Sequence, residues 1–275
     1  MTDRYAVVGN PVAHSKSPEI HLAFARQTGQ DIAYSRLLAP LDGLRSIIES
    51  FRAAGGRGVN VTLPFKLEAF DLADDVSPRA KDAQAANFLH FEHGRISADN
   101  TDGVGLIRDI VHNLGFRLAG KRVLLLGAGG AAQGVLVPLL EHGPNILTIA
   151  NRTVEKALSL AESFRHKPAA ATSVLCALRF GELAGHRFDL VINATSTSLQ
   201  GELPPLSGDA FAAGALAYDM MYGNAPTPFL AFAAAHGART ADGLGMLVEQ
   251  AAESFLLWRG VRPETAPVIA LLRNP

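Results

Sequence analysis

Four short runs of polar side chains supply most of the groups in this sequence that could act chemically on a small molecule. They cover residues 10–17, residues 60–66, Asn87 and residues 99–103, and the first two follow apolar runs that we predict to be strands. Hydroxyls, amides, one lysine and one aspartate gathered at the ends of strands suit a small polyhydroxylated acid. We therefore predict that these four runs form a substrate site.

Each run also has an ordinary structural explanation. Ser15 and Ser17 could be helix caps, and Asn87 could be a turn residue. Lys66 and Asp102 could form a surface ion pair, and such pairs contribute little to stability. Taken one at a time, the residue types leave these alternatives open.

A glycine-rich segment, residues 127–132, points to a second ligand. It lies between two predicted strands, at residues 123–126 and 146–150, and it opens the helix that joins them. The pattern G-x-G-x-x-A in that context is typical of a dinucleotide site, with Gly127 in the tight turn and Gly129 beside the pyrophosphate. The helix N-terminus offers free N–H groups and a partial positive charge to phosphates. We predict a bound dinucleotide here.

The end of the second strand indicates which dinucleotide is bound. NAD-specific folds usually place a carboxylate here to bind the ribose 2′-hydroxyl, but this chain has Asn151, Arg152 and Thr153. Arg152 supplies a cation where a 2′-phosphate would lie, and Lys156 stands one helical turn further on. This pattern favours NADP. The alternative is a solvated arginine near a helix start, with Thr153 as the cap.

Strands and helices alternate along the whole chain, and this alternation predicts the α/β class. One predicted helix begins at Ser17-Pro18. Four others cover residues 41–54, 102–114, 130–140 and 246–258. We place two α/β units with a boundary near residue 102, and we expect the last of these helices to pack back on the first unit. The predicted strands cover residues 5–8, 33–38, 59–63, 123–126, 146–150, 190–192 and 216–218, with a hairpin of residues 87–92 and 95–98 around His93-Gly94.

Composition excludes several classes of protein. The chain has 275 residues, of which 48% are hydrophobic and 19% are charged, with a formal net charge of −1. These values argue against disorder and against an electrostatic footprint for nucleic acid or a membrane surface. The apolar run at residues 5–8 is too short for a secretory signal, and glycines and Pro138 interrupt residues 123–140. We expect a cytoplasmic protein.

Cysteine and histidine usage argues against a metal site. Cys176 is the single cysteine, so neither an intrachain disulfide nor a zinc site of several thiolates is expected. His90, Glu92 and His93 lie close together in sequence, but on a predicted hairpin and without the spacing of a helical zinc motif. We predict no metal.

Taken together, the motifs resemble those of the shikimate dehydrogenase family over nearly the whole chain. The order of the matching segments is also the family's. The segments are His14-Ser15-Lys16-Ser17-Pro18, Asn60-Val61-Thr62-Leu63-Pro64-Phe65-Lys66, Asn100-Thr101-Asp102-Gly103, Gly127-Ala128-Gly129-Gly130-Ala131, Asn151-Arg152-Thr153, Asn193-Ala194-Thr195-Ser196, Tyr218-Asp219-Met220 and Asp242-Gly243-Leu244-Gly245-Met246.

The resemblance implies a reaction and an arrangement of domains. The reaction is the reversible reduction of 3-dehydroshikimate to shikimate by NADPH, a step of chorismate and aromatic amino-acid biosynthesis. The arrangement is a discontinuous substrate domain, residues 1–102 and 242–275, and a Rossmann NADP-binding domain, residues 103–241. We expect a monomer or homodimer with a small-molecule substrate and no nucleic-acid or membrane partner.

The resemblance also implies the site residues. Lys66 would act at the reacting oxygen, either as proton donor or as a cation, and Asp102 would hold Lys66 and bind a substrate hydroxyl. The serines would bind the carboxylate, without a compensating arginine. The implied shikimate contacts are Ser15, Ser17, Asn60, Thr62, Lys66, Asn87, Asp102, Tyr222 and Gln250. The implied NADP contacts are Gly127, Ala128, Gly129, Gly130, Ala131, Asn151, Arg152, Thr153, Lys156, Thr195, Met220 and Gly243.

Two departures from the family pattern and two rival functions remain. Asn87 lies between Ala86 and Phe88, where the family more often has Val and Thr, and Gln133 stands where many relatives show Arg. The second change puts cofactor affinity in doubt more than reaction type.

One rival function is a quinate/shikimate dehydrogenase that prefers NAD. The other is a non-catalytic NADP-binding sensor, which the presence of both Lys66 and Asp102 disfavours.

Overall fold

The computed structural model describes residues 2–195 and 202–273. The chain divides into two compact units: unit 1 comprises Met1–Gly105 and Leu247–Pro275, and unit 2 comprises Leu106–Met246. The polypeptide thus returns to unit 1 after completing unit 2, which confirms the prediction for the helix at residues 246–258. In the described parts of the chain, no helix is both long and apolar enough to span a membrane.

Unit 1 contains a mixed sheet with the strand order β2-β1-β3-β5-β6-β4. β1 runs parallel to β2 and β3, whereas β5 runs antiparallel to β3 and to β6, and β4 pairs parallel to β6. The strands are β1 (Asp3–Gly9), β2 (Ile32–Leu38), β3 (Gly56–Val61), β4 (Asp75–Val76), β5 (Phe88–Glu92) and β6 (Arg95–Asp99).

The α-helices lie between the strands and after the last strand. The α-helices in chain order are α1 (Ser17–Thr28), α2 (Leu44–Ala53), α3 (Lys66–Asp71), α4 (Pro78–Ala83), α5 (Asp102–Arg108), α6 (Gly130–Glu141), α7 (Val154–Arg165), α8 (Pro228–Ala235), α9 (Leu244–Arg259) and α10 (Ala266–Arg273).

Two apolar cores fix the helices of unit 1. Ile20 and Phe24 of α1 pack with Phe255 of α9 in one core. Ile48 and Phe51 of α2 belong to the other core, together with strand residues of β1, β3, β5 and β6. Burying such side chains contributes about 1.5–3 kcal/mol each. This packing holds the strand ends, and the polar residues that follow them, in fixed positions.

Unit 2 contains a parallel sheet with the strand order β12-β11-β10-β7-β8-β9. The chain builds one half outward from β7 and then the other half outward from β10, so the strand order reverses between those two strands. Such a reversal is where open α/β sheets bind their ligands, beyond the carboxyl ends of the strands. The strands are β7 (Arg122–Leu126), β8 (Ile146–Ala150), β9 (Val174–Leu178), β10 (Phe188–Asn193), β11 (Phe211–Asp219) and β12 (Arg239–Ala241).

The helix predicted at residues 102–114 is wrong in its second half. α5 ends at Arg108 and continues as a π-helical turn, Asp109–Asn113. The buried Asp109 carboxylate accepts hydrogen bonds from Tyr218 Oη at 2.6 Å and from Asn113 Nδ2 at 2.9 Å. Sequence periodicity carried no signal for a wider turn built around a buried carboxylate.

Other boundaries also differ from the predictions; the strand predicted at residues 216–218, for example, covers Phe211–Asp219. The helix predicted from residue 41 begins at Leu44, because Gly43 is its N-cap. The strand predicted at residues 59–63 ends at Val61. The carbonyl of the next residue, Thr62, accepts a hydrogen bond from the Phe65 N–H at 3.1 Å, and this turn leads directly into α3.

Candidate active site

The four polar runs of unit 1 meet at one edge of its sheet. Asn10 N–H donates to the Leu63 carbonyl at 3.0 Å, which joins the segment after β1 to the segment after β3. Asn87 carries the contact onward: its carbonyl accepts from Val61 N–H at 2.8 Å, and its N–H donates to the Asp99 carbonyl at 3.2 Å. The predicted convergence of these runs is therefore present in the structure.

Lys66 and Asp102 form an ion pair at this edge. Each is the first residue of its helix, α3 and α5 respectively, and their Nζ and Oδ2 atoms are 2.5 Å apart. The side chains are 30% and 16% exposed, so the amine is shielded from bulk water but remains accessible. An ammonium in this position can give a proton to a bound oxygen or stabilise negative charge on it.

Asn87 binds Oδ1, the second oxygen of the Asp102 carboxylate. Its Nδ2 donates to Asp102 Oδ1 at 2.8 Å, and the Thr101 backbone N–H donates to its Oδ1 at 2.8 Å. A backbone N–H can only donate, so this contact sets the orientation of the amide and directs Nδ2 toward Asp102. Gln250 Oε1 lies 3.3 Å from the same Nδ2, which adds α9 to the group.

Asn60 lies beneath this group and is buried. Its Oδ1 accepts from Tyr34 Oη at 2.7 Å, and its Nδ2 donates to Ser254 Oγ at 2.9 Å. Burial raises the pKa of Tyr34 well above its usual value, so the phenol is protonated and remains a donor. The Asn60 amide therefore connects β3 to β2 and to α9. Sequence analysis missed Tyr34 and Ser254, because isolated hydroxyls in apolar runs give no signal.

The two serines form a hydroxyl pair. Ser15 Oγ donates to Ser17 Oγ at 3.1 Å and accepts from the Ser17 N–H at 3.3 Å. The prediction that both could be caps is wrong for Ser17, which is the first residue of α1, with Lys16 at the N-cap position and no side-chain cap bond. Arg36, which the sequence analysis also missed, donates to the Ser15 carbonyl. The Thr62 N–H donates to the Val8 carbonyl at 2.9 Å, which joins the segment after β3 to the end of β1.

Arg79 secures the end of β6 and thereby the start of α5. Its Nε donates to Asp99 Oδ1 at 3.1 Å and its Nη1 to Glu253 Oε1 at 2.9 Å, while Arg262 Nη1 binds Glu253 Oε2 at 2.6 Å. Burial raises the pKa of Glu253, but the two guanidinium groups outweigh burial and leave it below its usual value. This network connects α9 to the segment that carries Asp102.

The glycine turn of unit 2 has the geometry that a dinucleotide requires. Gly127 has a φ of 110°, and a Cβ there would lie 3.1 Å from Thr195 Cγ2. Gly129, the N-cap of α6, and Gly130 differ, because a Cβ on either would meet no described atom within 4 Å. The turn therefore excludes a side chain at its first position and leaves open space at the helix N-terminus, where phosphates bind.

The segment after β8 presents an exposed cation. Asn151 Nδ2 donates to the Thr153 carbonyl at 2.8 Å, which closes a short turn before α7. Thr153 occupies the N-cap position, but its side chain makes no capping bond. Arg152 is exposed and forms no ion pair or side-chain hydrogen bond within the described residues, and Lys156 is also exposed. The Arg152 guanidinium is therefore accessible to an anionic ligand.

The remaining predicted cofactor residues follow β10, β11 and β12. Asn193 Oδ1 accepts from Thr195 Oγ1 at 2.6 Å, and the Asn193 carbonyl accepts from Met220 N–H at 3.0 Å. Gly243 packs so closely on the Met220 backbone that a Cβ would overlap it. Tyr222 belongs to unit 2, unlike the other predicted shikimate contacts. Ser196, in the matching motif, lies outside the described residues.

Three models of known protein families match successive segments of this chain. A model of the shikimate dehydrogenase substrate binding domain matches residues 7–89, and a model of shikimate / quinate 5-dehydrogenase matches residues 109–200. A model of the shikimate 5'-dehydrogenase C-terminal domain matches residues 243–273.

Individual relatives agree with the family models. The shikimate dehydrogenase (NADP(+)) of Aromatoleum aromaticum is 64% identical, over 99% of this chain and 97% of that protein. An Ael1 enzyme from Pseudomonas putida has a crystal structure with a TM-score of 0.94 and 52% identity, covering 100% of this chain and 99% of its own. Shikimate 5-dehydrogenase from Thermus thermophilus, in complex with NADP(H) and shikimate, has a TM-score of 0.87 and 34% identity, covering 99% of both chains.

Proposed function

Because this chain belongs to the shikimate dehydrogenase family, we propose that it catalyses the reversible reduction of 3-dehydroshikimate to shikimate with NADPH. The observation that carries the proposal is the Lys66–Asp102–Asn87 group at the carboxyl edge of the unit 1 sheet. The same chemistry places the enzyme in chorismate and aromatic amino-acid biosynthesis. We expect it to act in the cytoplasm as a monomer or homodimer.

Unit 1 binds the substrate. Ser15 and Ser17 bind its carboxylate through their paired hydroxyls, while Lys66 and Asp102 bind the oxygen that reacts and the hydroxyl beside it. Asn87 orients Asp102 and, with Gln250, offers amide groups to the remaining hydroxyls. The other proposed contacts are Asn60 and Thr62 of unit 1 and Tyr222, which belongs to unit 2.

Unit 2 binds NADP, which when bound supplies or accepts the hydride. The open space at Gly129 and Gly130 fits the pyrophosphate, and the exposed Arg152 guanidinium fits a 2′-phosphate better than a neutral ribose. Asn151, Thr153 and Lys156 would contact that phosphate. The remaining proposed contacts are Gly127, Ala128, Ala131, Thr195, Met220 and Gly243.

Reduction of a ketone also requires a proton on oxygen, and Lys66 is the group that supplies it. Its Nζ holds that proton next to Asp102 and can release it to the substrate oxygen as negative charge develops there. Asp102 keeps the ammonium in place and accepts a hydrogen bond from a substrate hydroxyl. In the direction of oxidation, Lys66 receives the proton back.

A comparison of specificity constants tests this function. Initial rates of the purified protein would be measured with shikimate and with quinate, each with NADP and with NAD. We expect kcat/KM to be highest for shikimate with NADP. A preference for quinate or for NAD would assign the chain to the quinate/shikimate type. Tight NADP binding without turnover of either acid would support a sensor instead.

A further inference from the structure

The Arg36 guanidinium binds the backbone of the Ser15–Ser17 pair. Arg36, near the end of β2, donates from Nε at 3.0 Å and from Nη2 at 2.5 Å to the carbonyl oxygen of Ser15. The same Nη2 lies 3.7 Å from Glu19 Oε1, in the first turn of α1. Arg36 therefore joins β2 to the segment that carries Ser15 and to the helix that begins with Ser17.

The other anchors of the segment that Arg36 holds lie at its start, where Asn10 donates to the Leu63 and Ala39 carbonyls and Val12 is buried in the core. Residues 10–16 connect β1 to α1 without regular structure, and the Ser15 N–H donates to the Val12 carbonyl at 3.1 Å within the same segment. Arg36 supplies the fixed external contact of the Ser15 backbone. Because Ser15 Oγ in turn binds Ser17 Oγ and the Ser17 N–H, the position of the Ser15 backbone sets the geometry of the hydroxyl pair.

Charge gives Arg36 a second effect on the same ligand. Two neutral hydroxyls can orient a carboxylate but cannot offset its charge. Arg36 binds the same residue that would bind the carboxylate, well within the Debye length of about 8 Å at physiological salt. Its side chain is 36% exposed, so its field is screened only in part. Glu19 is more exposed, at 58%, and offsets the guanidinium less.

We propose that Arg36 is a positioning residue for the acid end of the substrate: it fixes the Ser15–Ser17 pair and adds the positive charge that these serines lack. The proposal rests on the proposed function, because it takes shikimate as the ligand. It corrects the expectation that the serines act without an arginine. Arg36 acts through Ser15 at the acid end, whereas Lys66 is the proposed group at the reacting oxygen, so the influence of Arg36 falls on KM for shikimate and leaves kcat nearly unchanged.

Arg36→Met and Arg36→Lys test the proposal, with Arg45→Met as the matched control. Arg45 also pairs with a glutamate on an exposed surface of unit 1, at 4.0 Å from Glu49. We expect Arg36→Met to raise KM for shikimate about tenfold, or about 1.4 kcal/mol, with kcat within about twofold and KM for NADP unchanged. KM for shikimate in Arg36→Lys should lie between the values of wild type and Arg36→Met, because lysine keeps the charge but cannot donate two N–H bonds to the Ser15 carbonyl as the guanidinium does. Arg45→Met should match wild type.

Methyl shikimate, whose acid end is neutral, separates charge from general damage. We expect Arg36→Met to raise KM for the ester distinctly less than KM for the acid. An unchanged KM for shikimate in Arg36→Met, or a fall in kcat with KM unchanged, would overturn the role of Arg36. So would equal increases of KM for acid and ester. Failure of the wild type to oxidise shikimate would instead reject the proposed function, so the two failures are distinguishable.

Discussion

Replacing Lys66 by Met separates a catalytic lysine from half of a structural ion pair. Methionine keeps most of the apolar stem and removes the charge and the proton. If Lys66 acts at the reacting oxygen, its contribution is greatest in the transition state. We then expect kcat to fall by roughly 10²–10⁴, the usual range for a positioned acid or base, with a much smaller change in KM. That range corresponds to about 3–5 kcal/mol of barrier.

The structure also sets the expected effect on stability. The pair is close, but Lys66 is 30% exposed, so solvent screens it and its net contribution is about 0–1 kcal/mol. Asp102 keeps its hydrogen bond from Asn87 when the lysine is removed. A loss of this size lowers the melting temperature by at most about 2–4 °C in a protein of this length.

The assay pairs steady-state kinetics with a thermal melt, and Arg95→Met serves as control. Arg95 forms an exposed, two-bond ion pair with Asp75 in the same unit, with distances of 2.8 and 2.9 Å, and it lies outside the proposed site. The control should keep wild-type kcat. A Lys66→Met protein with kcat close to wild type would refute the assignment. So would a large loss of stability with normal turnover of the folded fraction.

Four further substitutions test other parts of the account. Arg152→Ala should raise KM for NADP far more than KM for NAD, and equal effects on both would remove Arg152 from the 2′-phosphate site. Ser15→Ala and Ser17→Ala should each weaken shikimate binding by about 1 kcal/mol or more, measured by calorimetry; unchanged affinity in both would reject the serine pair. The pKa of Glu253 lies below its usual value in the folded protein, because the two guanidinium groups outweigh burial; Glu253 therefore stabilises the fold at neutral pH and loses this effect as pH falls through the folded pKa. Urea unfolding should show Glu253→Gln to be roughly 1–3 kcal/mol less stable at neutral pH, with a smaller further loss in acid; a wild-type acid dependence in the variant would contradict this.

The parts of the fold that the sequence predicted are those encoded locally. Strand, glycine turn, helix and strand follow one another at residues 122–150, and the structure confirms all of them. β4, β9 and β12 were not predicted. β4 and β12 have two and three residues and are defined by their pairing with β6 and β11. α3, at Lys66–Asp71, is one and a half turns long and has too few residues for a periodic pattern.

In the site, too, local sequence predicted some residues and distant contacts determine the others. Motifs identified the residue types that meet at the sheet edge, since two of the runs follow β1 and β3, one begins at the end of β6, and Asn87 directly precedes β5. The groups that hold them come from distant segments: Asn60 binds Ser254, which is 194 positions away, and Arg36 binds Ser15, which is 21 positions away. A lone arginine on an exposed strand or a lone serine in a helix has many ordinary uses. Only the packed structure shows which of them supports the site.

Transfer of deuterium tests the central claim most directly. NADPH that carries deuterium at both positions of nicotinamide C4 would be incubated with 3-dehydroshikimate and the purified protein, and the product analysed by mass spectrometry and NMR. The account predicts shikimate with a single deuterium, on the carbon that bears the newly formed hydroxyl. Unlabelled shikimate, deuterium on another carbon, or no shikimate at all would contradict it.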